Sequence, residues 1–398
     1  MLSVDEARTI MLEVAQPLPA ETVKLADALG RVLAAPVIAP RDHPPFPSSA
    51  MDGYAVRSAD TPGSLKVVGE AAAGHGFDGP CEAETAVRIA TGGAAPEGAD
   101  TIVIQEDVTR NGDRIDVPEA KPGKYIRKRG LDFPAGTELL PRARKLDGIA
   151  LALAAASGAG TLSVVRRPRI AILNSGDELA EPGSTPGPFQ IFESGNYGIA
   201  GLISAWGGVP LPLGLLPDDE EAIARAAERG LAESDLLVMV GGASVGDHDF
   251  ARPALERLGL ELKFSKVSVR PGKPTWFGTT PKGPVLGLPG NPASALVCAY
   301  LFLHPLMEAM LGRDPLASVA PRPARLAGAL PANGKREQFL RARCDIDQDG
   351  QLTACAFGNQ DSSLLSIFAA ANALIRQAAD TPALAEGALV DVLLLSSL

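Results

Sequence analysis

"LLVMVGGASVGDHDF", Leu236 to Phe250, sets five consecutive apolar residues directly before a glycine-rich, acidic loop. An apolar run of that length, closed by a turn signal, reads as a short buried strand. The same texture recurs on either side. "RIAIL" (Arg169–Leu173), "GVPLPLGLL" (Gly208–Leu216) and "PVLGL" (Pro284–Leu288) are further strands of this kind. Between them, helices are expected over about Gly198–Trp206, Glu220–Ala232, Arg252–Leu258 and Ala293–Met310. Alternation of short apolar strands with helices predicts an α/β layer built on a largely parallel sheet.

Outward from this centre the pattern changes. Ser3 with Glu6 reads as a capping box ahead of Val4, Ala7, Ile10, Met11 and Val14 on one helical face. A second short helix is expected over Leu25–Leu33, and a third over Lys145–Ala156, ended by Gly158. "RDHPPFPSSAMDGYAV" (Arg41–Val56) is a proline-stiffened approach to a turn at Asp52-Gly53, and Lys66–Leu140 has the texture of strand and turn. After the proline-punctuated linker "RDPLASVAPRPAR", the stretches "QFLRARCDI", "QLTACAF" and "GALVDVLLL" return to strand. The expected architecture is multidomain, α/β plus β. A helical and linker subdomain (1–40 and 141–166) and a β subdomain (41–140) precede the α/β domain (167–314) and a C-terminal β domain (315–398).

Composition narrows the function classes. The chain has 37 Lys plus Arg against 47 Asp plus Glu, a net charge of −10, which disfavours nucleic acid as the main partner. Cys81, Cys298, Cys344 and Cys355 show no CxxC pairing and suit a reducing compartment, while the four histidines are too scattered for a histidine-based metal centre. Residues 1–20 lack a signal-peptide pattern, and apolar stretches such as Ile149–Ala156 are too short to span a bilayer. The expectation is a cytoplasmic protein with no membrane role.

In an open α/β sheet, ligands bind outside the carboxyl ends of the strands. The unusual loops here all follow strands: Ser175–Leu179, Pro217–Asp219, Gly241–Asp249 and Pro289–Ser294. "GGASVGD" offers closely spaced backbone N–H groups and the Ser244 hydroxyl, a design suited to phosphate, although Gly-Gly turns are common. "LPGNPAS" offers Asn291 as a cap and Pro292 at the first helical position, which also suffices as a well-made helix start. Asp177, Glu178, Asp218, Asp247 and Asp249 are carboxylates of the kind that bind Mg²⁺, or that merely solvate a loop. "VSVRPGKPTWFG" (Val267–Gly278) holds Arg270 and Lys273 on a turn stiffened by Pro271 and Pro274. Taken by itself, that turn is either a rigid loop that carries charge or a preorganised anion site.

A resemblance joins these motifs. "SSAMDGYAV", "RIATGG…PEGAD", "SGDEL", "GGASVGDHDF", "RPGKP", "GLPGNPASA" and "GNQDSSLLS" occur in the order found in the molybdopterin molybdenumtransferases, similar to the C-terminal part of gephyrin. The resemblance covers essentially the whole chain; "GGxSxGD" and "GDEL" are shared with molybdopterin adenylyltransferases. It implies a homodimer whose sites are shared between chains. The reaction it implies takes adenylylated molybdopterin and molybdate, with Mg²⁺, to molybdenum cofactor and AMP. It also leaves room for handover from a molybdopterin adenylyltransferase or to acceptor enzymes. The positions carried over are Asp52, Thr91 and Asp132 in the β subdomain, and Glu178, Asp218, Ser244, Asp249, Lys273, Pro289, Pro292 and Ser294 in the α/β domain, to which Arg270 is added as an anion ligand on the chemistry of its own turn. Arg341 and Ser363 come from the C-terminal domain. Of these, Asp52, Asp132, Asp249 and Lys273 are expected to act in catalysis, Glu178 and Asp249 on the metal, and the rest on substrate.

The chain also departs from the pattern. The family usually has Lys at Arg270, Asn at Gly195, Val at Ala243, Thr at Ser175 and Glu at Leu131. A divergent paralogue resembling an adenylyltransferase, or a non-catalytic scaffold, is the alternative. Retention of Asp52, Glu178 and Asp249 favours an enzyme.

Overall fold

A computed structural model describes residues 1–241 and 250–396. The chain divides into two compact units: Thr22–Val164, and Met1–Glu21 together with Val165–Leu398.

The Thr22–Val164 unit carries a six-stranded sheet of β1 (Gly53–Val56), β2 (Gly63–Ala71), β3 (Thr85–Ile89), β4 (Thr101–Ile104), β5 (Thr109–Asn111) and β6 (Arg114–Val117). The spatial order is β4-β1-β3-β2-β6-β5, and only the β2–β3 pair is parallel. Gly53 is required at the centre of this sheet, since a Cβ there would lie 2.1 Å from the Val103 carbonyl oxygen. A second core in the unit gathers Leu33, Val37, Leu140, Leu146, Ala150, Ala154 and Val164. The helix at Gly148–Ala156, capped by Asp147, packs into it. The helix expected over Leu25–Leu33 does not form beyond a 3₁₀ turn at Leu25–Asp27. Gly30 takes φ +72°, and Val32 and Leu33 then bridge to Lys145 and Val164, so the backbone bonds go to distant chain.

The other unit opens with α1 (Val4–Val14), whose Ser3 and Glu6 complete the expected capping box. Its α/β layer contains β7 (Arg169–Ser175), β8 (Val209–Leu216), β9 (Leu236–Val240), β10 (Glu261–Phe264), β11 (Trp276–Thr280) and β12 (Gly283–Leu288). These lie in the order β8-β7-β9-β12-β11-β10, parallel from β8 to β12 and antiparallel through β11 and β10. Alternate residues go to opposite faces, and both faces are covered. Ile170, Ile172, Leu236, Val238, Leu286 and Leu288 pack with Val4 and Met11 of α1, with Ile199 and Ile203 of the Gly195–Ala205 helix, and with Val297 and Phe302. Ala171, Leu173, Leu237, Met239 and Val285 face Ile223, Ala227 and Leu255 from the helices Glu220–Glu233 and Ala251–Glu256. The helical run Pro292–Met310 is long and apolar enough to cross a membrane, but 78% of it is buried in this core.

The C-terminal strands β13 (Arg322–Leu326), β14 (Glu337–Ile346), β15 (Leu352–Ala356), β16 (Ala373–Gln377) and β17 (Leu389–Leu394) close on themselves. The order β14-β15-β13-β17-β16 returns to β14 through the β14–β16 pairing. A two-residue strand, Val269–Arg270, adds parallel to Glu337–Gln338 at the start of β14. The fold is therefore multidomain α/β plus β, as the sequence predicts, with the C-terminal β domain closed into a barrel.

The β11–β12 pair holds its spacing only because residue 287 has no side chain: a Cβ there would sit 2.0 Å from the Trp276 ring. Gly287→Ala should overpack this contact at a cost of about 1–3 kcal/mol. Thermal unfolding followed by tryptophan emission should show a midpoint several degrees lower, and an unchanged midpoint would mean the ring has room to move.

Candidate functional site

The parallel strands end at one edge, and the loops beyond them are tied to one another. Beyond β7 and β8, the Asp177 amide donates to the Asp218 carboxylate (3.4 Å) and the Asp218 amide to that of Asp177 (3.2 Å). The carboxylate of Glu178, itself exposed, folds back over Gly176, where a Cβ would lie 2.5 Å from Oε2. Beyond β9 and β12, Gly241 and Gly290 approach so closely that a Cβ on Gly290 would be 3.4 Å from the Gly241 Cα. Pro289 is buried, Pro292 opens the Pro292–Cys298 helix, and Ser294 in its first turn is only 3% exposed. Ser244 and Asp249 lie outside the described residues.

Asn291 stands at the N-cap position but does not cap; its Nδ2 donates to Ser362 Oγ at 2.7 Å. The C-terminal domain thereby reaches the sheet edge, a connection across 71 residues that no local pattern announces. The loop bearing Ser362 is braced by Arg341. Arg341, expected as a substrate contact, is 1% exposed, with Nε on Gln360 Oε1 (3.1 Å) and Nη1 on the Asp361 carbonyl (2.8 Å). Burial lowers its pKa, opposed by the Asp361 charge. Its Nη2 has no partner among the described residues. Ser363 is exposed and donates to Asp361 Oδ1 at 2.7 Å, which holds that carboxyl below its ordinary pKa.

The "RPGKP" turn arrives at the same edge. Trp276, three residues beyond Lys273, pairs with Gly287 near the carboxyl end of β12. Arg270 and Lys273 are both exposed, and neither side chain makes a hydrogen bond or ion pair among the described residues. Some other exposed cations of the unit are paired, Arg225 with Glu221, Arg257 with Glu220 and Lys282 with Glu228, while others, such as Arg229 and Lys335, have no side-chain partner among the described residues either.

A buried polar cluster below β7 was not evident from the sequence. Glu193, 3% exposed, accepts from Asn174 Nδ2 (2.7 Å) and the Asn196 amide (2.6 Å). This explains one departure from the family pattern. A Cβ on Gly195 would already be 3.0 Å from Val240 Cγ1 and 3.2 Å from Glu193 Oε1, so a larger residue would press on the cluster.

In the Thr22–Val164 unit, Asp52 and Thr91 are brought together. Asp52 Oδ1 accepts from the Thr91 amide (2.6 Å) and hydroxyl (2.9 Å), and these two bonds, with a smaller contribution from Arg88, hold the carboxyl below its ordinary range. Asp132 stands exposed on a separate loop whose amide donates to the His43 carbonyl at 3.0 Å. That loop is anchored by Asp42, which accepts from the Ala135 amide at 2.7 Å and pairs with Arg129.

Comparison with known proteins finds similarity along nearly the whole chain. Residues 2–158 match the MoeA N-terminal region (domain I and II), 171–309 a probable molybdopterin binding domain, and 323–395 the MoeA C-terminal region (domain IV). The chain is 36% identical to the molybdopterin molybdenumtransferase of Haemophilus influenzae over 94% of both chains. It is 34% identical to molybdopterin molybdenumtransferase 2 of Mycobacterium tuberculosis over 98% of this chain and 99% of that one. A molybdopterin biosynthesis MoeA protein from Pyrococcus horikoshii superposes with a TM-score of 0.87 at 29% identity, covering 100% of each chain. The fold and these matches define a transferase of molybdenum cofactor biosynthesis. More particularly, the chain belongs to the molybdopterin molybdenumtransferase family.

The Asp52–Thr91 clamp has a testable electrostatic signature. Because the folded pKa is depressed, the clamp stabilises the protein above the unfolded carboxyl range and is lost as pH falls through the folded pKa. Thr91→Val removes one of two donors, so the Asp52 pKa should rise toward 3.8 without reaching it, as read by carboxyl-carbon NMR titration. No movement would mean that the backbone donor alone sets it.

Proposed function

We propose that the chain inserts molybdenum from molybdate into adenylylated molybdopterin, releasing AMP and molybdenum cofactor in a Mg²⁺-dependent reaction. The observation that carries this reading is the pair of exposed cations, Arg270 and Lys273, unpaired among the described residues, at the strand-end edge that also bears the acidic loops of Asp177 and Asp218. Both substrates are anions. Cleavage of the phosphoanhydride needs positive charge over the phosphates, and molybdate is a tetrahedral dianion that needs fixed donors. Lys273, a compact point charge, suits the phosphates, while the planar fork of Arg270 suits two molybdate oxygens at once. Asp218, Pro289, Pro292 and Ser294 then line the pterin and nucleotide side, and Ser363 approaches with the C-terminal loop.

The residues present also suit Mg²⁺. Mg²⁺ usually takes one or two carboxylates and fills its sphere with phosphate oxygens and water. Glu178 supplies one exposed carboxylate, and Asp249 is the second in this reading. When bound, the ion would neutralise phosphate charge. Asp52, Thr91 and Asp132 complete the partner's site in a homodimer, a reading that rests on the family resemblance.

The direct test is AMP release from adenylylated molybdopterin, molybdate and Mg²⁺; an adenylyltransferase or a scaffold would release none. Arg270→Ala should raise the molybdate requirement by the loss of about 1.5–3 kcal/mol, with Arg270→Lys in between. Glu178→Gln should shift the Mg²⁺ dependence without unfolding. If Arg270→Ala matches the parent at every molybdate concentration, the cation is a solvated charge on a stiff turn.

Site sharing has its own experiment. Mixed dimers of an Asp52→Ala chain and a Lys273→Ala chain should regain about half of the sites, one intact and one doubly broken in each heterodimer. Mixed dimers that form and stay inactive would show that each site is built within one chain.

A further inference from the structure

The turn that carries Arg270 and Lys273 is held from behind by a small buried polar contact. Thr275 is 0% exposed, and its hydroxyl lies 2.8 Å from the Gly272 carbonyl and 3.2 Å from Cys298 Sγ. The Thr275 amide donates to the same carbonyl at 3.0 Å. One hydroxyl proton serves one acceptor, so with that proton on Gly272 the thiol proton of Cys298 is left for the second contact. Burial pushes the Cys298 thiol up to about 12, which keeps it protonated and available as a donor. Gly272 sits at φ +117°, and a Cβ on it would come within 2.3 Å of Cys298 Sγ and 3.1 Å of Val269 Cγ1. The turn is thus seated directly on the thiol, with Val267 donating to the Lys273 carbonyl at 3.1 Å on its other side.

We propose that Thr275 is a positioning residue for the two cations: its hydroxyl, boxed between the Gly272 carbonyl and the Cys298 thiol, fixes the direction in which Arg270 and Lys273 leave the turn. This rests on the reading of that turn as the anion site. Thr275 touches no substrate itself; it acts by holding the peptide between the cations. Side chains as long as Arg and Lys turn a small backbone rotation into a displacement of about 1 Å at the charged group, enough to weaken an oriented contact severely. Neither cation's side chain has a partner among the described residues to restore its direction.

The test compares the parent with Thr275→Val, which keeps the branched shape and removes the hydroxyl, and with Thr275→Ser, which keeps the hydroxyl. Two quantities are measured on folded full-length protein. One is AMP release against molybdate at saturating adenylylated molybdopterin and Mg²⁺; the other is hydrogen exchange at the Val267 and Thr275 amides. Thr275→Val should raise the molybdate KM about tenfold or more with a much smaller change in kcat, and both amides should exchange faster. Thr275→Ser should restore both quantities to near the parent. A Thr275→Val protein with the parent's KM, or with unaltered exchange, overturns the proposal, as does a Thr275→Ser protein no better than the valine variant. Should the parent release no AMP, the reading of the reaction fails separately, and molybdate uptake in equilibrium dialysis decides the role of Thr275. Weaker uptake by Thr275→Val than by Thr275→Ser upholds it; equal uptake, or none by the parent, overturns it.

Discussion

Burial of β7, β9 and β12 on both faces is the constraint from which the rest of the site follows. Ile170 and Ala171, or Val238 and Met239, face opposite apolar cores, so neither sheet face is open to a ligand. Only the strand ends remain, and in a parallel array they are all of one kind at each edge. The carboxyl edge collects Asp177, Glu178, Asp218 and Gly290, and its loops are joined by hydrogen bonds and by glycine-to-glycine contact. The apolar core therefore selects the place, and short polar contacts set the shape.

The electrostatics follow from that division. On the helices of this unit, Arg225, Arg252 and Arg257 are spent on neighbouring carboxylates. The turn that carries Arg270 and Lys273 is tied down by strand pairing with Glu337–Gln338 on one side and by the Thr275 and Cys298 contact beneath. A turn fixed in this way does not need its side chains for its own stability, so their charge remains available to a ligand.

Much of this was legible in the sequence, for physical reasons that also mark where legibility stops. "LLVMV" and "RIAIL" are strands because a continuous apolar run is stable only when covered on both sides, and the Ser3–Glu6 box is a local device that needs no tertiary information. Leu25–Leu33 misled because its composition is helical while its backbone bonds are claimed by Lys145 and Val164. Asn291 reads as a cap by type, yet its amide is taken by Ser362, which only folding brings near. Arg341 enters as a substrate contact only through the resemblance; its burial depends on Gln360 and the Asp361 carbonyl, which replace water around it and which no local pattern announces.

Barrel closure gives these long-range contacts a common origin. β14 pairs with β15 and β16 inside the barrel, and its first residues also pair with Val269–Arg270, so one strand borders both the barrel and the cationic turn. Arg341, on that same strand, braces the loop that sends Ser362 to Asn291. The C-terminal domain therefore touches the sheet edge through backbone at Arg270 and through a side chain at Asn291, with β14 making the first contact and bracing the loop that makes the second. A shift of β14 relative to the sheet would move the cationic turn and the Ser362 loop together. The barrel is thus a mechanical part of the candidate site, although Arg341, the residue through which the sequence connects it to substrate, is itself out of reach of solvent.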